Sequence, residues 1–208
     1  MMHDTLDDDY SHLENMDDDE FIELCDGGNL EEIDMAVYLG ANVNARDIYD
    51  NTPLMMAARN CDTEAMKILI DKGADVNAKN FEGITAFIHA ASHKDYESMD
   101  LLLANGADIN AADWCGNTAL ISAALNGRYR LVEYLVEHGA DVNIKNDNGE
   151  SPIILAHEEM YYEIEYYLEK HGAEPYEGES VIIVFPQDQI DDIEPLLKNE
   201  ADEEEADE

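Results

Sequence analysis

"GADVNAKNFEGITAFIHAA", residues 73–91, holds in one stretch the features that decide the fold. Gly73 ends the helical run "TEAMKILIDK", in which Ala65, Met66, Ile68 and Leu69 stand at helical spacing. A glycine there supplies the left-handed C′ conformation that closes a helix. "ADVNAKNFEG" has no helical period and ends in turn residues, so it reads as a hairpin-like finger. Thr85 then places a hydroxyl at the N-cap of a short apolar helix. The stretch recurs as "GANVNAR" at 40–46, "GADINAA" at 106–112 and "GADVNIK" at 139–145. Gly40, Gly73, Gly106, Gly139 and Gly172 lie 33 residues apart, as do Thr52, Thr85, Thr118 and Ser151. Thr52-Pro53 and Ser151-Pro152 add proline at the first helical position. Neither helix of such a unit can bury its apolar face alone. Stacked neighbours bury a continuous core, and the expected product is an all-α solenoid of about ten helices.

The motifs "NTPLMMAA", "ITAFIHAA", "NTALISAA" and "ESPIILAH", each followed by a second helix and "GADVN" or a near copy, resemble the ankyrin repeat family over roughly residues 19–175. One departure is plain. Where the family's T-P-L-H pattern has histidine, this chain has Met55, Ile88, Ile121 and Ile154, so apolar packing must replace that side chain's hydrogen bonds. Five units are expected, at 19–46, 47–79, 80–112, 113–145 and 146–178. The first lacks a finger and the Thr-Pro start, as a terminal cap would. The last carries Met160-Tyr161-Tyr162 at its turn, and Glu165 and Glu169 where its neighbours are apolar, which suits a cap with one solvated face.

The chain has 208 residues, with 50 acids against 11 bases and a net charge of -39. Residues 1–20 hold nine acids and no lysine or arginine, and residues 174–208 hold fourteen acids and one base. Residues 1–18 are therefore expected to form a solvated acidic arm, and 199–208 a disordered acidic tail; both should be dispensable for folding. Between the last unit and the tail, 179–198 is expected to cap the array; its charge-free run 181–185 reads either as a strand lying over the last repeat, which is favoured because an exposed run of this type would aggregate, or as a short partner-binding segment. Such a surface repels phosphate backbones and anionic lipid, so neither nucleic acid nor membrane is an expected direct partner. No apolar run approaches a membrane span and no secretory signal pattern opens the chain. The cysteines Cys25, Cys61 and Cys115 form neither a disulfide framework nor a metal-ligand spacing and suit a reducing compartment. An intracellular, cytoplasmic and monomeric protein is expected.

No constellation for catalysis stands out. His89 and His93 share a helix face four residues apart, but zinc would need a further ligand, and the pair reads as polar residues on the concave face. "NDNGE" at 146–150 has the composition of a calcium loop without its twelfth-position glutamate, and falls by phase in a finger. There is no nucleophile elbow, zinc-binding helix motif or phosphate loop. No enzyme activity, metal or cofactor is expected.

A binding module remains. The resemblance implies contacts from finger tips and from the concave face of the first helices. By phase the finger positions are Ile48, Tyr49 and Asn51; Phe81, Glu82 and Ile84; Trp114, Cys115 and Asn117; Asp147, Asn148 and Glu150. On the helices they are Arg59 and Asn60; Ser92 and His93; Leu125 and Asn126; Glu158 and Glu159. Ile48, Phe81 and Trp114, the only tryptophan, are 33 apart and occupy equivalent tips. A row of apolar side chains at protruding tips is interface material, unless each folds back on its neighbour. The expected partner is another protein with an apolar anchor pocket and a basic rim, although the acidity reads equally well as a device for solubility or adaptation to high salt. Narrower readings are an immunity or inhibitor protein that neutralises a basic toxin or nuclease, and an acidic nucleic-acid mimic.

Overall fold

The structure, a computed structural model, describes residues 10–175. The first nine residues of the acidic arm, the segment 179–198 with its run 181–185, and the tail 199–208 lie outside the described residues. Among the described residues ten α-helices follow one another in pairs: α1 (Asp18–Leu24) and α2 (Leu30–Leu39), α3 (Pro53–Arg59) and α4 (Thr63–Asp71), α5 (Ala86–His93) and α6 (Tyr96–Ala104), α7 (Ala119–Leu125) and α8 (Tyr129–Glu137), α9 (Pro152–Glu158) and α10 (Tyr162–Lys170). Among the described residues no strand forms; a single antiparallel bridge joins Ala112 to Thr118 at the foot of one finger.

The helices make two layers. Odd-numbered helices pack against each other, as α3 does against α5 and α7 against α9, while α2 meets α4 and α4 meets α6. The inner helices are short and buried nearly all round, Pro53 to Ala58 without exception. Alanine pairs at 57–58, 90–91 and 123–124 let these backbones approach closely, and all six residues are buried. Thr52, Thr85 and Thr118 accept hydrogen bonds from the backbone N–H of Met55, Ile88 and Ile121, at 3.3, 3.2 and 3.2 Å. Ser151 is buried but makes no cap bond, so its expected role fails and only proline at the first helical position is kept. Of the four residues standing where the motif has histidine, Met55 and Ile121 are fully buried, so packing replaces the polar contact there, while Ile88 and Ile154 are half-buried.

The finger asparagines lock one unit to the next. Asn44 Nδ2 donates to the Gly73 carbonyl at 3.0 Å, and its Oδ1 accepts from Asp75 N–H at 2.8 Å. Asn77 repeats this with Gly106 and Asp108, and Asn143 with Gly172 and Glu174. The "GADVN" signature is thus a ladder of amides that pairs exposed backbone groups across unit boundaries.

Two expectations about the ends change. Residues 10–17 are not a solvated arm. Ser11–Leu13 forms a 3-10 turn, Leu13 is buried, and Tyr10 and Met16 pack on the core. Asp17 and Glu20 then close a capping box at the start of α1, with bonds of 2.9 and 3.1 Å. In the last unit Glu165 does not face solvent: it accepts from His157 Nδ1 at 3.0 Å, and both side chains are half-buried. Glu169 is exposed.

Candidate functional site

Each finger tip is a four-residue turn held by its own first residue. Asp47 Oδ1 accepts from the N–H groups of Tyr49 and Asn51, both at 2.8 Å, and the Asp47 carbonyl accepts from Asp50 N–H at 2.9 Å. Asn80, Asp113 and Asn146 do the same in the next three fingers. This explains Asp or Asn at that phase: a short side-chain acceptor mimics a backbone turn. Successive tips are joined backbone to backbone. Phe81 N–H donates to Tyr49 C=O at 3.0 Å, Trp114 N–H to Glu82 C=O at 2.8 Å, and Asp147 N–H to Cys115 C=O at 3.0 Å. The contact is so close that a Cβ on Gly83 would sit 2.9 Å from the Asp113 carbonyl carbon and the Trp114 nitrogen, and only glycine fits.

With the backbones turned toward each other, the tip side chains point outward. Ile48 is 74%, Tyr49 61%, Phe81 66% and Trp114 72% exposed. None folds back onto its neighbour. Side chains of these types present roughly 150–250 Å² each. The exposed fractions therefore sum to about 500 Å² of largely apolar surface, the size of the largest patch on a typical monomer, which is often functional. Glu82, Cys115, Asp147 and Asn148 complete the exposed tips.

Not every finger residue is available. Asn51 and Asn117 are half-buried and structural: each donates to the aspartate of its own turn, and each carbonyl oxygen accepts from the next finger, from Asn80 Nδ2 at 2.8 Å and Asn146 Nδ2 at 3.0 Å. Glu150 is engaged with Asn146 and Asn148, and Ile84 is half-buried. These four belong to the scaffold of the fingers, and the phase that made them candidates is the phase of a repeated hydrogen bond.

On the concave side Arg59 and Asn60 are exposed, but both bind the Asp26 carboxylate of the first unit. Burial pushes the Asp26 carboxyl up, yet the two hydrogen bonds and the Arg59 charge together hold it below its ordinary value. Ser92 bonds the Ile88 carbonyl, His93 Nδ1 lies 3.0 Å from the His89 carbonyl, and Asn126 bonds the Ser122 carbonyl, all within their own helices. Leu125 is 42% exposed, and Glu158 and Glu159 are exposed. His89 does not stand beside His93 as a second ligand. Its Nε2 is buried without a hydrogen-bond partner among the described residues, and burial, then the Arg59 and His93 charges, hold its pKa down at about 4. Among the described residues no group of three His, Cys, Asp or Glu is placed to hold a metal ion, and no helix is long and apolar enough to cross a membrane.

A family model of ankyrin repeats in three copies matches residues 21–113, and one of ankyrin repeats in many copies matches 102–156. Together they span well over half of the chain. The chain belongs to the ankyrin repeat family. No match was found among curated proteins. Ankyrin repeats mediate protein–protein interaction and are typically non-enzymatic, so this ankyrin chain is a repeat solenoid of the protein-binding kind. Two exposed groups stand outside the contact positions assigned by phase: Tyr38 at the end of α2, and Met160 with Tyr161 at the α9–α10 turn, which the sequence marked only as part of a cap. Tyr38 and Tyr161 lie at positions polar in most units, so an apolar residue at a normally polar phase was the usable signal.

Proposed function

We propose that the chain is a non-enzymatic binding module for a basic protein, which seats apolar side chains against the finger tips of the second to fourth units and lines its rim along the acidic flanks and concave face. The observation that carries this reading is the exposure of Ile48, Tyr49, Phe81 and Trp114 on three successive finger tips joined by backbone bonds. Four large apolar side chains are held at protruding tips by a hydrogen-bonded scaffold that does not use them. Desolvating such a row in a fitted pocket is a favourable term that water leaves unspent. The net charge of -39 adds long-range attraction to a basic partner and opposes self-association, in keeping with a monomer. Two narrower forms share this chemistry. An inhibitor of a basic toxin or nuclease needs an apolar anchor and fits the row, whereas a nucleic-acid mimic has no use for exposed aromatic tips. Three free thiols, two of them exposed, are in keeping with a reducing, cytoplasmic setting.

The test is a pulldown from the native host with the wild-type chain and with Trp114→Ala, each with and without added salt. A protein retained by wild type, weakened by salt and lost with Trp114→Ala fits the reading. Retention equal on both baits, or confined to acidic proteins, sinks it.

A further inference from the structure

The finger ribbon is built by one repeated bond: the second residue of each tip donates its N–H to the third-residue carbonyl of the tip before it. Phe81, Trp114 and Asp147 all donate in this way, at 3.0, 2.8 and 3.0 Å. Ile48 is the residue of the same phase in the first finger. The unit before it has no finger, and the Ile48 N–H has no hydrogen-bond partner among the described residues. Ile48 and Tyr49 flank this donor at 74% and 61% exposure. One unpaired backbone donor beside exposed apolar side chains is a point at which another chain can add a main-chain bond. Asp50 on this finger is paired with Arg46 at 3.8 Å, Glu82 is exposed on the next finger, and the chain as a whole is strongly acidic. A second copy would bring like charge to this edge, whereas a basic segment brings the opposite charge.

We infer that the open edge of the first finger accepts an extended, lysine- or arginine-rich segment of a partner protein, which continues the ribbon by placing a backbone carbonyl on the Ile48 N–H. The inference rests on the reading of the finger row as an interface, and adds a main-chain contact to its side-chain anchors. Strand addition of this kind takes affinity from the backbone bonds and selectivity from alternate side chains.

Ile48 holds the second position of a hydrogen-bonded four-residue turn, where proline is favoured. Ile48→Pro therefore removes the donor and keeps the turn, while Ile48→Ala removes the side chain and keeps the donor. The probe is an end-capped peptide of alternating lysine and valine, titrated by calorimetry, with the Ile48 and Trp114 signals followed by NMR. Wild type should bind with its largest amide shift at Ile48. Ile48→Pro should bind roughly threefold to tenfold more weakly than Ile48→Ala, the worth of one backbone hydrogen bond. Equal affinity of the two variants, no binding by wild type, or shifts confined to Trp114 would each overturn the inference; the last outcome leaves the proposed function standing. Unfolding midpoints of the two variants must agree, and a lower one for Ile48→Pro also counts against it, since the donor would then serve the fold. Self-association in sedimentation that Ile48→Pro abolishes would assign the edge to a second copy and overturn the basic occupant.

Discussion

Cys61, Lys94, Gly127 and Met160 share one phase, the turn between the helices of a pair, and all are left-handed, with φ of 57°, 58°, 64° and 60°. Only one is glycine, so the other three carry a steric cost of about 1–2 kcal/mol each, against roughly 0.5–1 kcal/mol of extra chain entropy that glycine would lose. Lys94→Gly should stabilise by about 0.5–1 kcal/mol in urea unfolding; a lower midpoint would contradict this. The reverse change at Gly127 should destabilise, since its Cβ would meet the Tyr161 ring at 2.7 Å. Nothing in the sequence marks this turn, because Cys, Lys, Gly and Met share no chemistry and only the backbone repeats. His89 makes a pH prediction. Burial first, then the charges of Arg59 and His93, hold its folded pKa at about 4, below an unfolded value near 6.5. As pH falls below about 6.5 the unfolded chain takes up a proton that the folded chain refuses, so His89 removes stability between about pH 6.5 and 4, and nothing above that window. The loss is on the order of 2 kcal/mol. Of the in-phase residues, Met56 and Leu155 are buried and apolar, while Ser122 is exposed. His89→Leu should therefore gain on the wild type at pH 4.5 relative to pH 7, and a pH-independent difference would show that the ring is not held neutral.

The elements that the sequence made legible are those whose signal is local. Threonine caps, terminal glycines and apolar periodicity lie within one unit and place all ten helices. What was missed depends on contacts across units. Asn51 and Asn117 look like tip residues until the neighbouring finger shows their amides bridging, and Glu165 looks solvated until His157 is placed beside it. The same holds for the start of the chain, where acidic composition hid Leu13 and Met16 packing under the first unit. Truncation should separate the two readings. A chain beginning at residue 10 keeps Leu13 and the Asp17–Glu20 box. One beginning at residue 19 loses both, and should melt several degrees lower, in line with about 2 kcal/mol for a buried leucine and about 1 kcal/mol for a cap. Equal melting temperatures would return residues 10–17 to the arm. Between units, Asn77→Ala removes both bonds to the next repeat and leaves the exposed Gly106 carbonyl and Asp108 N–H to water. It should cost about 2 kcal/mol in urea unfolding. A loss within about 0.5 kcal/mol would mean that water replaces the ladder at no cost.

At the scale of the molecule, a solenoid made of stitched fingers presents its least soluble side chains on its most protruding points, under a net charge of -39. Under the proposed function the two features have one joint explanation, with charge keeping the free chain dispersed and the row engaging a partner that neutralises the charge. The architecture was legible because a 33-residue period sums four copies of the same weak signals, whereas the identity of a partner leaves no periodic trace. The row itself was visible only as a break in the repeat, an apolar residue three times over at a tip that the last finger fills with Asp147. The most direct test of the account is a paired measurement on Trp114→Ala, taking its affinity for the purified partner and its unfolding free energy against the wild type. The account predicts binding roughly thirtyfold weaker or more, as for a hot-spot side chain at about 1.4 kcal/mol per tenfold, with stability unchanged within about 0.5 kcal/mol. Unchanged affinity, or a multi-kcal/mol loss of stability, would contradict it.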